Sequence, residues 1–315
     1  MKSISIVIPA YNESECIEEL ASRLTKVMDF HNQYSWQVII IENGSLDDSW
    51  EKLRDLSQTD NRFKVVKLSR NFRMDGGLTA GLEFVNTDAC ILMTADLQDP
   101  PEFIPKLLEK WEDGYENIYG IVTERIGTNR LRRFNSVLFY KVAGKLSDGR
   151  IPENASDFRL VDRKVYEVVR EMTERNRFVR GLFAWVGFKS IGVPMIREPR
   201  FAGVSNAPTL KVIELALKGI FAHSYKPLRF ISIFGMTLFG LSLVSLLILS
   251  LIWFIVGVPF AGFGSLTALI LCGFGFQALL IGIVSEYLAL IYEESKGRPN
   301  YIVSEVIGIL PKSKN

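Results

Sequence analysis

The chain has 315 residues, enough for one large domain or two modest ones. Hydrophobic residues make up 48% of it and the mean hydropathy is +0.16, so apolar residues are expected to be concentrated in one region. A net charge of +2 argues against an acidic tail and against general nucleic-acid binding. The cysteines, Cys16, Cys90 and Cys272, have no metal-ligand spacing, and His31 and His223 are the only histidines. Buried thiols in a reducing compartment are expected; a histidine-based zinc site or a Ser-His-Asp triad is not. Chemistry should rest on carboxylates, arginines and a bound metal.

In chain order, the first half alternates strand and helix. Strands are expected at Ile4–Ile8, Gln37–Ile41, Phe63–Leu68, Ala89–Thr94 and Ile118–Val122. Helices are expected at Glu13–Met28, Ser49–Leu56, Gly76–Val85 and Pro101–Trp111. The apolar run after Met1-Lys2-Ser3 is too short for a signal-peptide core, so it reads as a first strand and keeps the N-terminal domain in the cytoplasm. Apolar strands between amphipathic helices imply an α/β fold with a mostly parallel sheet covered on both faces. Ligands of such sheets bind outside the carboxyl ends of the strands, which singles out the loops after Ile8, Ile41, Leu68 and Thr94.

The second half changes character. Thr128–Ser147 has apolar residues at helical spacing among Arg130, Arg132, Arg133, Lys141 and Lys145; it suits either a membrane surface or a core-facing helix. Pro208–Ser224 is a similar stretch for which the interfacial reading is preferred, because an apolar run follows it. Phe230–Val258 and Pro259–Val284 contain no charged residue, and each exceeds the roughly 20 residues that cross a bilayer core. A turn near Gly257–Gly262 makes them a hairpin, with spans at about 230–257 and 264–290. Lys226 and Arg229 precede it and Lys296, Arg298, Lys312 and Lys314 follow it, which places both termini in the cytoplasm. The expected organisation is a catalytic domain at 1–207, a juxtamembrane helix at 208–229, two spans within 230–292 and a cytoplasmic tail at 293–315. Gly235, Gly240, Gly273 and Gly275 would let the spans pack into a homo-oligomer.

The loops carry the chemistry. Pro9-Ala10-Tyr11-Asn12-Glu13 offers a ring to stack on a base and a carboxylate for ribose or base donors, although Asn12 also suits a helix N-cap. Glu42-Asn43-Gly44-Ser45 could hold a uracil or ribose, or form a turn. Ser69-Arg70-Asn71-Phe72-Arg73 lies beside Gly76 and Gly77, where a phosphate could approach the backbone; the spacing is not a Rossmann fingerprint. Thr94-Ala95-Asp96-Leu97-Gln98-Asp99-Pro100-Pro101 ends a strand, and Asp96 and Gln98 could share a Mg²⁺ or Mn²⁺ whose shell substrate phosphates complete. Asp157-Phe158-Arg159 offers a base or phosphate-site residue, or a structural ion pair. Arginines recur in Arg175-Asn176-Arg177-Phe178-Val179-Arg180-Gly181 and in Arg197 to Ser205, and their forks match phosphate oxygens.

Taken in order, these segments resemble the inverting family 2 glycosyltransferases. The nearest branch comprises the dolichol-phosphate mannosyltransferases and bactoprenol glucosyltransferases, which charge polyprenyl phosphates. The resemblance runs from about Ser3 to Lys226, and the apolar hairpin extends it over nearly the whole chain. It implies a GT-A, Rossmann-like domain, with Mg²⁺ or Mn²⁺ at Asp96 and Gln98. It implies nucleotide-sugar contacts at Pro9, Tyr11, Glu13, Glu42, Asn43, Arg70, Asp96 and Arg200. Asp157 falls where the family places its base or acceptor-phosphate aspartate, so it and Asp96 are expected to be catalytic, and Arg130, Arg133, Arg159 and Arg177 are expected to hold the lipid phosphate. The donor implied is a UDP-sugar, with UDP-glucose preferred; the acceptor is undecaprenyl phosphate within membrane lipids. Mannose or aminoarabinose on the same lipid is an alternative, as is an inactive nucleotide-sugar sensor. The chain departs from the family at Asn43 and Thr94, usually acidic, and at Asn206, usually lysine.

Overall fold

A computed structural model describes residues 1–125, 155–175, 177–199, 201 and 262–309, with positions 237, 244, 248, 251, 254 and 255 singly. It divides into two compact units, Met1–Ala216 with Gly297–Asn315, and Leu217–Lys296.

The first unit is built on an eight-stranded sheet in the order β7-β5-β6-β4-β1-β2-β3-β8. β1 (Ser3–Ala10), β2 (Ser35–Glu42), β3 (Phe63–Leu68) and β4 (Ala89–Leu92) are mutually parallel. Between them lie α1 (Ile17–Phe30), α2 (Ser49–Thr59) and α3 (Arg73–Glu83). A 3₁₀ turn at Pro101–Phe103 then leads into α4 (Ile104–Glu112). The expected α/β core is therefore present, with ends shifted by a few residues. The largest shift is at α1, where Asn12 takes φ 53°, Glu13 and Ser14 donate across to the next loop, and Cys16 N closes a local turn onto Glu13 O before the helix begins.

Alternation along the strands sorts the core into two layers. Ile4, Ile6 and Ile8 of β1 pack with Leu20 and Leu24 of α1 and Leu107 of α4. Val7, Ile39, Ile41 and Leu92 face the other way, toward α3, α5 (Arg163–Glu171) and α6 (Val179–Trp185). The approach of α3 to β1 is close enough that a Cβ on Gly81 would sit 2.2 Å from Val7 Cγ1. Overpacking of that kind typically costs about 1–3 kcal/mol.

The remaining strands depart from a purely parallel plan. β6 (Ala155–Asp162) is antiparallel to both β4 and β5 (Asn117–Arg125), while β7 (Ser190–Arg197) runs parallel to β5 at one edge. At the other edge β8 (Val303–Ile307) pairs antiparallel with β3. The expected tail at 293–315 is thus corrected: part of it completes the sheet, because β3 offers an unpaired backbone edge that Val303, Val306 and Ile307 can cover.

In the second unit, α7 (Phe263–Ser295) is one continuous 33-residue helix, about 50 Å long at 1.5 Å per residue. Leu266, Leu269, Phe274, Ile281, Leu288 and Ile291 are all exposed on it. Among the described residues no helix is long and apolar enough to cross a membrane; several α7 side chains lie outside the description. The helices expected at 128–147 and 208–224, and most of the first apolar run, also lie outside it.

Candidate active site

The carboxyl ends of β1 to β4 come together as the parallel sheet requires, and hydrogen bonds lace their loops. Asn12 donates from its backbone to Ser45 Oγ (3.0 Å) and accepts at Oδ1 from Leu46 N (2.8 Å). Glu13 N donates to Ser49 Oγ, and Ser14 N to Asp47 Oδ2. Burial pushes the Asp47 carboxyl up, but bonds from Ser49 and Ser14 outweigh it and hold it below the usual range. Pro9 is buried and Tyr11 half-buried beside this lacing. Glu42 is fully buried; Ser45 N donates to its Oε1, while Oε2 has no hydrogen-bond partner among the described residues. A buried carboxylate oxygen without a donor costs stability, and an N–H or O–H of a ligand would relieve that cost.

Asn43 behaves differently from its neighbour. Its Oδ1 accepts from Phe72 N and its Nδ2 donates to the carbonyl of Arg73, each at 2.9 Å. Arg73 has φ 64°, unfavourable for a residue with a Cβ, and Asn71 Oδ1 braces its N–H at 2.7 Å. The amide expected to touch nucleotide is instead engaged by backbone, holding a strained turn. Gly44 (φ 70°) is required here, since a Cβ would lie 2.5 Å from the Arg70 carbonyl carbon. The Arg70 guanidinium is exposed and stacks over Phe72 at 4.0 Å.

Beyond β4, Thr94 Oγ1 lies 2.7 Å from Asp96 Oδ1 and 2.9 Å from Asp99 Oδ2, so one hydroxyl proton serves two carboxylates. Gln98 N also points at Asp96 Oδ1, at 3.3 Å. Among the described residues no group of three or more His, Cys, Asp or Glu is arranged to hold a metal. One carboxylate and one amide still fit a hard divalent ion, provided that phosphate oxygens and water supply the other ligands. Asp99, passed over as a site residue in the sequence, is fully buried. It accepts from Ser156 Oγ at 3.4 Å and pairs with Arg197 Nε at 3.6 Å. Burial raises its pKa, against the pull of Arg197 and Thr94. Its signal in sequence was only its place in the Asp-Leu-Gln-Asp run.

Because β6 is antiparallel to β4, with Arg159 opposite Leu92, its first residues reach the same edge of the sheet. Asp157 stands there, forked by Arg180: Nε donates to Oδ1 at 2.8 Å and Nη2 to Oδ2. Burial pushes the Asp157 carboxyl up, but Arg180, then Arg159 and Arg197, more than offset it and hold the group ionised below the usual range. Arg159 is 3% exposed, donates to Ser156 O and lies 5.1 Å from the Phe183 ring. Burial draws its pKa down to about 10. A guanidinium so enclosed does not meet the expectation of a lipid-phosphate contact. Arg177 donates to Val169 O at the end of α5, so its head is also engaged by backbone. Arg130, Arg133 and Arg200 lie outside the described residues, though the chain around Arg200 is tied to the Asp96 loop through Glu198 N to Gln98 O and Phe201 N to Asp96 O. Arg180 is the site residue that sequence reading quoted without assigning it a role.

The site therefore offers a buried acceptor for a nucleoside, a carboxylate–amide pair for a metal, and an arginine-held carboxylate, all on one sheet edge. Residues 5–170 match the Glycosyl transferase family 2 profile. An uncharacterized glycosyltransferase of Synechocystis sp. is 41% identical, over 99% of this chain and 98% of its own length. The bactoprenol glucosyl transferase of Shigella phage SfV is 36% identical, over 95% and 97% respectively. A prophage bactoprenol glucosyl transferase homolog of Escherichia coli is 35% identical, over 96% and 99%. With its α/β sheet, its carboxylates at the strand ends and relatives matched over nearly their full length, the chain belongs to glycosyl transferase family 2 and is a glycosyltransferase of the polyprenyl-phosphate branch.

Proposed function

We propose that the enzyme transfers glucose from UDP-glucose to undecaprenyl phosphate, with inversion, on the cytoplasmic face of a bacterial membrane. The product is a lipid-linked glucose donor for O-antigen or other envelope glycans. The observation that carries this reading is the Asp157–Arg180 fork beside Asp99 and the Asp96 loop, in a chain whose relatives include bactoprenol glucosyl transferases.

An oxygen of the lipid phosphate forms the new bond to the anomeric carbon, and the bond from that carbon to the UDP β-phosphate oxygen breaks, its electron pair leaving with UDP. A phosphate monoester is already ionised near neutral pH, its second pKa being about 6. Asp157, held ionised, therefore has little to deprotonate; it orients the acceptor, and Arg180 is the cation best placed to share with the phosphate. Glu42 and Tyr11 receive the nucleoside, with Pro9 and Glu13 lining the same loop, and Arg70 and Arg200 face the diphosphate. Asp96 and Gln98 would hold a divalent ion, Mg²⁺ or Mn²⁺, which would supply positive charge to the leaving diphosphate.

The membrane reading rests on sequence and on α7. Among its described side chains Leu266, Leu269, Phe274, Ile281 and Leu288 are exposed, and no Asp, Glu, Lys or Arg occurs from Phe263 to Ser285. We infer that it is the second span of a hairpin that holds the enzyme where its lipid acceptor resides, with Arg130 and Arg133 at the lipid surface. Turnover of undecaprenyl phosphate with a panel of radiolabelled UDP- and GDP-sugars tests the whole reading. Glucose transfer is expected; transfer of mannose or aminoarabinose alone would replace the donor, and no transfer of any sugar would favour a sensor. Asp96→Ala and Asp157→Ala should each abolish transfer in folded protein.

A further inference from the structure

Asp75 lies in the first turn of α3, where the helix dipole alone would favour a carboxylate. Its hydrogen bond, however, leaves the helix. Oδ1 accepts at 2.9 Å from the backbone N–H of Val179, the first residue of α6 and 104 positions further along the chain. The next residue, Arg180, is the one that forks Asp157. α3 is itself fixed to β1, because a Cβ on Gly77 would sit 2.9 Å from Pro9 Cβ. Asp75 thus joins the helix that follows the Arg70 loop to the segment that holds the acceptor-side carboxylate.

The charged groups facing Asp75 are Asp157 of β6, Arg180 of α6 and Arg177 of the preceding loop. Burial raises its pKa to about 6; the Val179 N–H opposes this, Asp157 adds to it, and the two arginines oppose it. An isolated first-turn aspartate would have none of these neighbours.

We propose that Asp75 is a positioning residue: its bond to Val179 docks α6 so that Arg180 can hold Asp157, and its charge is felt by an acceptor phosphate entering that cluster. The docking role stands on the geometry alone, whereas the identity of the acceptor rests on the function proposed above. Gain or loss of one proton on Asp75 changes the net charge beside Asp157, so acceptor use acquires a pH dependence that donor binding lacks.

The test uses full-length enzyme in detergent with Asp75→Ala and Asp75→Asn variants. Hydrogen–deuterium exchange is read at Val179–Trp185, and KM values are measured with undecaprenyl phosphate and UDP-glucose. Asp75→Ala should speed exchange at Val179 about tenfold, the scale of one lost hydrogen bond to a charged group. It should raise the acceptor KM by about tenfold while the donor KM moves less than about twofold. Asp75→Asn still offers an oxygen to Val179, so it should keep the protection; the acceptor phosphate's own second ionisation near pH 6 shapes the acceptor KM of every form, and the variant should lose only the further pH dependence that Asp75 adds in wild type. Unchanged exchange in Asp75→Ala overturns the docking role, whatever the turnover. Equal changes in both KM values, or a wild-type pH profile in Asp75→Asn, overturn the acceptor-side role. Altered exchange with no transfer to undecaprenyl phosphate by any form, wild type included, upholds the docking and counts against the acceptor assignment.

Discussion

Replacing Asn43 by aspartate changes one atom and should expose how the Asn71–Arg73 turn is held. The amide donates to the Arg73 carbonyl and accepts from Phe72 N in a position 3% exposed. An ionised aspartate keeps the second bond but sets an oxygen against the carbonyl oxygen 2.9 Å away. Losing the donor leaves a carbonyl unsatisfied, at about 1–3 kcal/mol. Burying a charge beside it costs more, and the group responds by raising its pKa. The sign follows: a carboxyl whose folded pKa lies above its unfolded value is most tolerated at low pH, and the penalty grows as pH rises through the interval between the two. At pH 5 the protonated acid can donate to the carbonyl in place of the amide, so Asn43→Asp should lose only about 1 kcal/mol. At pH 8 the loss should reach about 3 kcal/mol, roughly 6–12 °C in Tm for a unit of this size. Melting curves of wild type and variant in the same detergent, from pH 5 to pH 8, measure the gap. A gap that is absent, or that stays constant across that range, would refute the account of Asn43 as a donor to strained backbone.

Glu42→Gln should leave the fold as stable as before or slightly more so, since it removes a buried charge, and should raise the KM for UDP-glucose about tenfold because Oε2 is the oxygen left for a ligand. Arg180→Met removes the first cation holding Asp157 ionised, so the acid limb of the acceptor kcat/KM profile should move to higher pH and kcat/KM should fall about a hundredfold, about 2.7 kcal/mol. The sign for stability is the opposite of that at Asn43→Asp. The wild-type Asp157 pKa is depressed, so its contribution is present above the unfolded value and lost as pH falls; the variant should show less loss of Tm on acidification. A chain ending at Lys296 lacks β8 and the Ile302 carbonyl that Ser69 N donates to; it should melt lower and aggregate, as followed by light scattering.

The first four strands were legible because Ile4–Ile8, Gln37–Ile41, Phe63–Leu68 and Ala89–Thr94 carry their own apolar pattern, and a parallel sheet dictates that their following loops converge. The loops that carry Tyr11, Glu42, Asp96 and Gln98 came with them. What pattern does not encode is pairing between distant segments. Asp157 reaches the edge only because β6 runs antiparallel to β4, and Arg159, two residues on and on the same face, is enclosed beneath Phe183. The use of Asn43 by backbone and the bond from Asp75 to Val179 depend on side-chain direction across helices. β8 is five residues of ordinary composition whose partner is 240 positions earlier in the pairing of Val306 with Val66.

That last pairing sets an order of events during synthesis. The ribosome makes β3 early and β8 only after the apolar run of α7 has emerged. Throughout that interval the nascent sheet presents the open side of β3, and Ser69 lacks its backbone acceptor at Ile302. The catalytic unit cannot complete itself as a vectorial, N-terminus-first domain. Its maturation waits on delivery of the segment behind it, so a chain stalled before β8 carries an adhesive edge that chaperones and proteases can recognise.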